Sequence, residues 1–164
     1  MDRPLPLELR PIAPADDAAV ARIIREVMTS FGACGPGFAI VDPEVDAMSA
    51  AYAAPGAGYF VVTSGARVVG CGGYARLAGA GPEVCELRKM YFLPEARRRG
   101  AGRRMLDLIL DRARRDGYAT CYLETLVRMT DARRLYEAAG FAEIDRPMGS
   151  TGHFNCDCRY VRAL

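Results

Sequence analysis

Val84-Cys85-Glu86-Leu87-Arg88-Lys89-Met90-Tyr91-Phe92-Leu93-Pro94-Glu95-Ala96-Arg97-Arg98-Arg99-Gly100-Ala101-Gly102 passes from a strand through a basic glycine loop and opens a helix. In the strand, Val84–Leu93, apolar alternation runs through Cys85 and Leu87 and then slips by one residue to Met90 and Phe92. Side chains alternate faces with a period of two, so that slip predicts a β-bulge. In the loop, Gly100 and Gly102 let the backbone turn tightly and bring its N–H groups close to a ligand. The following helix aims its positive dipole end and its unpaired N–H groups at the same point. With Arg97, Arg98, Arg99, Arg103 and Arg104 around it, the junction suits a diphosphate.

Upstream, Gly58–Thr63 and Arg67–Tyr74 are β-rich runs joined by Ser64-Gly65, a hairpin signal. Gly70, Gly72 and Gly73 weaken the second run or mark close backbone approach. Earlier still, Leu5–Arg10 reads as an edge strand. Asp16 or Asp17 caps a helix whose apolar face is Val20, Ile23, Ile24, Val27 and Phe31. Asp42-Pro43-Glu44 reads as a second helix start, an N-cap followed by proline.

Downstream, Leu106, Ile109, Leu110 and Ala113 keep one face of a helix that Gly117 ends. Ala119–Leu126 is then a strand parallel to Val84–Leu93, because a helix crosses between them. Thr130 caps the next helix, with Ala132, Leu135, Tyr136 and Ala139 inward. Phe141–Ile144 and Cys156–Val161 finish as strands. The order predicts one α/β domain over residues 1–164, built around a layered sheet.

Bulk composition excludes several classes. A formal net charge of +2 calls for no nucleic acid, and the arginines sit on one tight loop, not along a face. No apolar run approaches the roughly 20 residues of a membrane span. Met1–Pro14 lacks the apolar core of a signal peptide, so a cytoplasmic protein is expected. The six cysteines then read as reduced thiols. Cys156-x-Cys158 with the single His153 does not make a usual zinc set, and no metal is expected.

Three stretches resemble the GNAT superfamily of acetyl-CoA-dependent N-acetyltransferases. Glu86–Pro94 is similar to the family's bulged fourth strand, and Arg97-x-x-Gly100-x-Gly102 to its pyrophosphate loop. Leu135-Tyr136-Glu137-x-x-Gly140-Phe141 is similar to its later helix-to-strand motif. The resemblance implies a mixed, mostly antiparallel sheet of six or seven strands with helices on both faces. It also implies a V-shaped splay between the fourth and fifth strands, Val84–Leu93 and Ala119–Leu126. The pantetheine arm of acetyl-CoA would bond the main chain of Met90, Tyr91 and Phe92 as a substitute strand. The diphosphate would rest on Arg97, Arg98, Arg99, Gly100, Ala101, Gly102 and Arg103.

Tyr136 matches the family tyrosine that donates to the leaving thiolate. An alkylamine is almost wholly protonated at pH 7 and must lose a proton before it attacks. Glu86 and Glu124 are the two candidates to accept it; the lean is to Glu86. Met129 stands where many members carry a cofactor-contacting asparagine, and Thr130 or Arg133 would have to compensate. Phe31, in a glycine-rich segment, and His153 are candidate walls for the acceptor. For His153, a buried hydrogen-bonding role is an equal alternative. The expected acceptor is a small-molecule amine or amino acid. Acetylation of a protein N-terminus or lysine, a longer acyl-CoA, and a non-catalytic CoA sensor are the alternatives. A homodimer through the last strands is an expectation from the family alone.

Overall fold

The computed structural model describes residues 5–164, so the first four residues of the Met1–Pro14 segment lie outside the described residues. Seven strands form one sheet: β1 (Leu7–Pro11), β2 (Gly58–Ser64), β3 (Arg67–Arg76), β4 (Val84–Phe92), β5 (Thr120–Thr125), β6 (Ala142–Glu143) and β7 (Cys158–Ala163). Their order is β1-β2-β3-β4-β5-β7-β6. All neighbours are antiparallel except β4 and β5, which run parallel as their helical crossover requires. The helices are α1 (Asp17–Ser30), the single turn α2 (Met48–Ala51), α3 (Ala101–Arg115) and α4 (Thr130–Ala138). Among the described residues no helix is long and apolar enough to cross a membrane.

Both sheet faces are buried, which β2 makes plain. Phe60 and Val62 point into a core with Leu106, Ile109 and Leu110 of α3. Tyr59 and Val61, one residue out of phase, point into a second core with Ile23, Ile24 and Val27 of α1. Each such fully buried aliphatic side chain stabilises by about 1.5–3 kcal/mol relative to exposure. The helices therefore clamp the sheet from both sides.

Three local expectations are corrected. From Asp42 the chain makes a 3₁₀ turn, Pro43–Asp46, with Asp42 at its N-cap position and Pro43 at its start, and then the single turn α2, but no side chain caps either. Asp42 does not cap because its carboxylate is bound to Lys89 and His153 instead. Thr130 is the first residue of α4 and Met129 holds the cap position. The last strand begins at Cys158, not Cys156. The Cys156 N–H turns back onto the His153 carbonyl, and the Asp157 carboxylate accepts from the Val127 N–H.

The parallel pair decides where a site can be. β4 and β5 pair only at Val84–Thr120, Cys85–Cys121 and Glu86–Tyr122. β4 continues to Phe92 and β5 to Thr125 without further pairing. The strands splay from Glu86 onward and leave an open wedge.

Candidate functional site

The wedge begins at a kink. Across β3 and β4, Cys71 pairs with Tyr91 and Gly73 with Arg88, so Gly72 opposes both Lys89 and Met90. Lys89 takes the bulge conformation, φ +46°, a region that side chains other than glycine rarely enter. Its carbonyl is held from behind by the Tyr59 hydroxyl at 2.7 Å and the Cys71 thiol at 3.7 Å. Gly72 has no alternative here: a Cβ on it would stand 2.8 Å from Met90 Cγ. Met90, Tyr91 and Phe92 thus border the wedge where β5 no longer satisfies their main chain. The Phe92 carbonyl is the exception, because the Arg97 guanidinium donates to it at 2.9 Å.

At the mouth of the wedge, Gly100 adopts φ +77° immediately before α3, and Arg98 is also left-handed at +56°. Among the described residues, the N–H groups of residues 98 to 103 find no acceptor. A row of free N–H groups at a helix start is an anion cradle. Gly102 sits so close to α4 that an added Cβ would lie 3.1 Å from Leu135 Cδ2. This cradle fits the diphosphate of a CoA-type nucleotide.

The arginine side chains are mostly engaged elsewhere. Arg99 donates to the Leu5 and Glu95 carbonyls and Arg104 to the Leu7 carbonyl, so both brace β1 and its lead-in. Arg103 pairs with Asp107 at 3.0 Å. Arg97 and Arg98 line the groove together with Phe31, Phe92, Gly102 and Tyr136. Ala101 is buried at the first position of α3. Arg133 turns away from the groove and donates to the Tyr160 hydroxyl at 3.0 Å. Met129 is buried, its sulfur accepting from the Thr125 hydroxyl at 3.6 Å.

Deeper in, the groove meets a small, partly open chamber of about 60 Å³, and Tyr136 belongs to both. Its ring packs edge-on against Phe141 and tilted against Tyr160. The Tyr136 hydroxyl has no hydrogen-bond partner among the described residues, and burial pushes its pKa up, so it carries its proton at neutral pH. Phe31 borders the groove and not this chamber; His153, Glu86 and Glu124 border the chamber.

The two carboxylates differ. Glu86 is 4% exposed, and burial raises its pKa although the Arg88 guanidinium at 2.6 Å pulls it back. Glu124 is half-buried and held by two neutral donors, the Tyr122 hydroxyl at 2.7 Å and the Thr151 hydroxyl at 2.9 Å. No cation among the described residues lies within ion-pair distance of it. Across the chamber, His153 Nε2 lies 3.0 Å from the Asp42 carboxylate. Burial lowers the His153 pKa, but the hydrogen bond and charge of Asp42 outweigh it and the net shift is upward.

Sequence reasoning missed the polar wall behind His153. The Lys89 ammonium lies 2.6 Å from both Asp42 and Glu44, and Glu44 also accepts from the Tyr52 hydroxyl at 2.8 Å. One signal was available: Lys89 is the only lysine in the chain.

Comparison with known proteins gives the family and the fold. The model of the acetyltransferase (GNAT) family matches residues 24–141. The uncharacterized N-acetyltransferase YjgM of Escherichia coli strain K12 is 40% identical over 157 residues, 95% of this chain and 94% of that protein. A GNAT-family acetyltransferase from Staphylococcus aureus Mu50 superposes with a TM-score of 0.84 at 19% identity, covering 97% of this chain and 99% of its own. The Salmonella typhimurium protein yncA, solved with its cofactor acetyl-CoA, gives a TM-score of 0.74 at 21% identity over 97% and 93% of the two chains.

Proposed function

Because the chain belongs to the GNAT family of acetyltransferases, we propose that it transfers the acetyl group of acetyl-CoA to a small primary amine by direct attack. One observation carries the reading. The cofactor groove and the carboxylate-lined chamber share the walls Met90, Tyr91, Met129, Ala132 and Tyr136, and among these Tyr136 brings a buried hydroxyl with no partner among the described residues. When bound, acetyl-CoA supplies an acyl carbon with a thiolate leaving group.

The residues of the chain then have separable tasks. The free N–H groups of residues 98 to 103 hold the diphosphate, and the wedge edge at Met90 and Tyr91 orients the arm. Glu124, with no cation of its own, receives the ammonium of the acceptor. Glu86, whose pKa burial raises, takes the ammonium proton. Two carboxylates in different environments can divide recognition from base work. Tyr136 keeps its proton and presents it to the departing sulfur.

Glu124, held by two hydroxyls and no cation, supports an acceptor that arrives as an ammonium ion. The test is release of the CoA thiol with alkylamines, amino acids, polyamines and peptides as acceptors. Turnover of small amines is expected, with a raised KM in Glu124→Gln. Preference for peptide amines, or CoA binding without transfer to any amine, would overturn the reading.

A further inference from the structure

Besides β5 and α4, three separate stretches contribute walls to the acceptor chamber: the β4 bulge, Ala39 at the start of the 39–46 segment, and His153 and Cys156 of the 149–157 loop before β7. Apolar packing seats Ala39 and Val45 in one core with Leu93, just past the bulge. The 39–46 segment and the 149–157 loop are tied to the bulge by a further device, a chain of ionic groups centred on Lys89. The Lys89 side chain is 2% exposed, and its ammonium lies 2.6 Å from Asp42 Oδ2 and 2.6 Å from Glu44 Oε1. Asp42 then holds His153 Nε2 at 3.0 Å, and Tyr52 braces Glu44 at 2.8 Å. Asn155 adds a weaker tie, its side chain donating to the Pro36 carbonyl at 2.9 Å.

A buried ammonium between two carboxylates is seldom a net source of stability, since desolvation offsets most of the attraction. Its value lies in geometry: breaking one member leaves the others buried and uncompensated, so the arrangement tolerates little displacement. Lys89 also sits at the one residue whose left-handed backbone opens the wedge, and its carbonyl is pinned by Tyr59. One residue therefore sets the bulge with its main chain and the acceptor wall with its side chain.

We propose that Lys89 is a positioning residue for the acceptor, clamping the 39–46 segment and, through Asp42, the His153 loop against the bulge. The proposal rests on the acetyl-transfer reading only for the identity of the ligand in the chamber. The cofactor groove contains none of Lys89, Asp42, Glu44 or His153, whereas Lys89 and His153 line the chamber. The clamp consequently acts on acceptor binding and leaves cofactor binding intact.

The test compares Lys89→Met with the wild-type enzyme by three measurements: acetyl-CoA titration, acceptor kinetics and amide hydrogen exchange. The acetyl-CoA Kd should stay within about twofold while the acceptor KM rises about tenfold or more, with kcat changed less. Exchange should accelerate in residues 39–46 and 149–157 and not in α3. Lys89→Arg, which keeps the charge, should recover part of the acceptor KM. Parallel loss of cofactor and acceptor binding, or unchanged exchange in both segments, overturns the clamp. If Lys89→Met does not fold, Asp42→Asn carries the same test, with the 149–157 loop expected to loosen first. A wild-type enzyme that transfers to no amine would sink the acetyl-transfer reading, while the exchange pattern still decides the clamp.

Discussion

The Tyr59 hydroxyl on β2 donates to the Lys89 carbonyl on β4 across the intervening strand, at 2.7 Å. The bond reaches over Cys71, whose thiol approaches the same oxygen. It supplies the acceptor's partner at the point where the bulge takes that carbonyl out of the ladder. A buried carbonyl left without a donor costs about 1–3 kcal/mol. Tyr59→Phe should therefore destabilise the fold by about that amount and relax the bulge, which weakens acetyl-CoA binding. Denaturant unfolding and titration with CoA measure the two effects; loss of stability with unchanged affinity would detach the bond from the wedge.

Glu86 and Glu124 face the same chamber with opposite support, one against Arg88 and one against two hydroxyls. Glu86→Gln should lower the rate about 10²-fold or more near neutral pH. Since burial raises the Glu86 pKa, its acid limb should lie above the ordinary carboxylate range. That limb should vanish from the pH profile of Glu86→Gln. A limb that persists in Glu86→Gln and disappears in Glu124→Gln would exchange their roles.

Much of this was readable from residues alone, for identifiable reasons. The bulge announces itself because a period-two pattern cannot slip without one, and Cys85–Leu87 against Met90–Phe92 slips. The parallel β4–β5 pair follows from the helix between them. Asp42-Pro43 does start a helical turn, but only a 3₁₀ one, and the Asp42 carboxylate was not legible, because its partners, Lys89 and His153, lie 47 and 111 residues away along the chain. Periodicity and capping rules see neighbours in sequence; a long-range ion pair leaves no periodic trace. The same limit hid the arginines' destinations, since nothing local tells Arg99 and Arg104 to reach the carbonyls of Leu5 and Leu7.

Tyr136 separates packing from chemistry. Its ring belongs to the core with Phe141 and Tyr160, whereas its hydroxyl has no partner among the described residues. Tyr136→Phe keeps the ring, so thermal stability should hold or rise slightly. The rate should fall about 10²-fold with acetyl-CoA affinity retained. A substantial loss of stability would show that the hydroxyl serves the fold.

The two loop glycines should fail in different ways. Gly100 needs φ +77°, and a left-handed backbone costs a residue with a Cβ about 1–2 kcal/mol. Gly100→Ala should thus lose stability and CoA affinity together. At Gly102 the backbone is helical and the obstacle is the flexible end of Leu135, 3.1 Å from an added Cβ. Gly102→Val should leave stability less affected and weaken CoA binding by crowding the cradle. Equal stability losses in both variants would refute the distinction.

His153 and Asp42 make a contact whose pH dependence has a definite sign. Burial opposes the imidazolium, but the hydrogen bond and charge of Asp42, with Glu86 assisting and Lys89 opposing, raise the His153 pKa. The contact therefore stabilises fully below the unfolded histidine value of about 6.5 and fades as pH rises through the higher folded value. Burial also opposes the Asp42 carboxylate, yet its bonds to His153 and Lys89 win and lower its pKa. Its contribution is present above the ordinary aspartate range and is lost only as pH falls through the depressed value. NMR titration of the single imidazole should find a pKa above the ordinary histidine value in the native enzyme, falling in Asp42→Asn. An unchanged midpoint in that variant would mean that the imidazole is held by something other than Asp42.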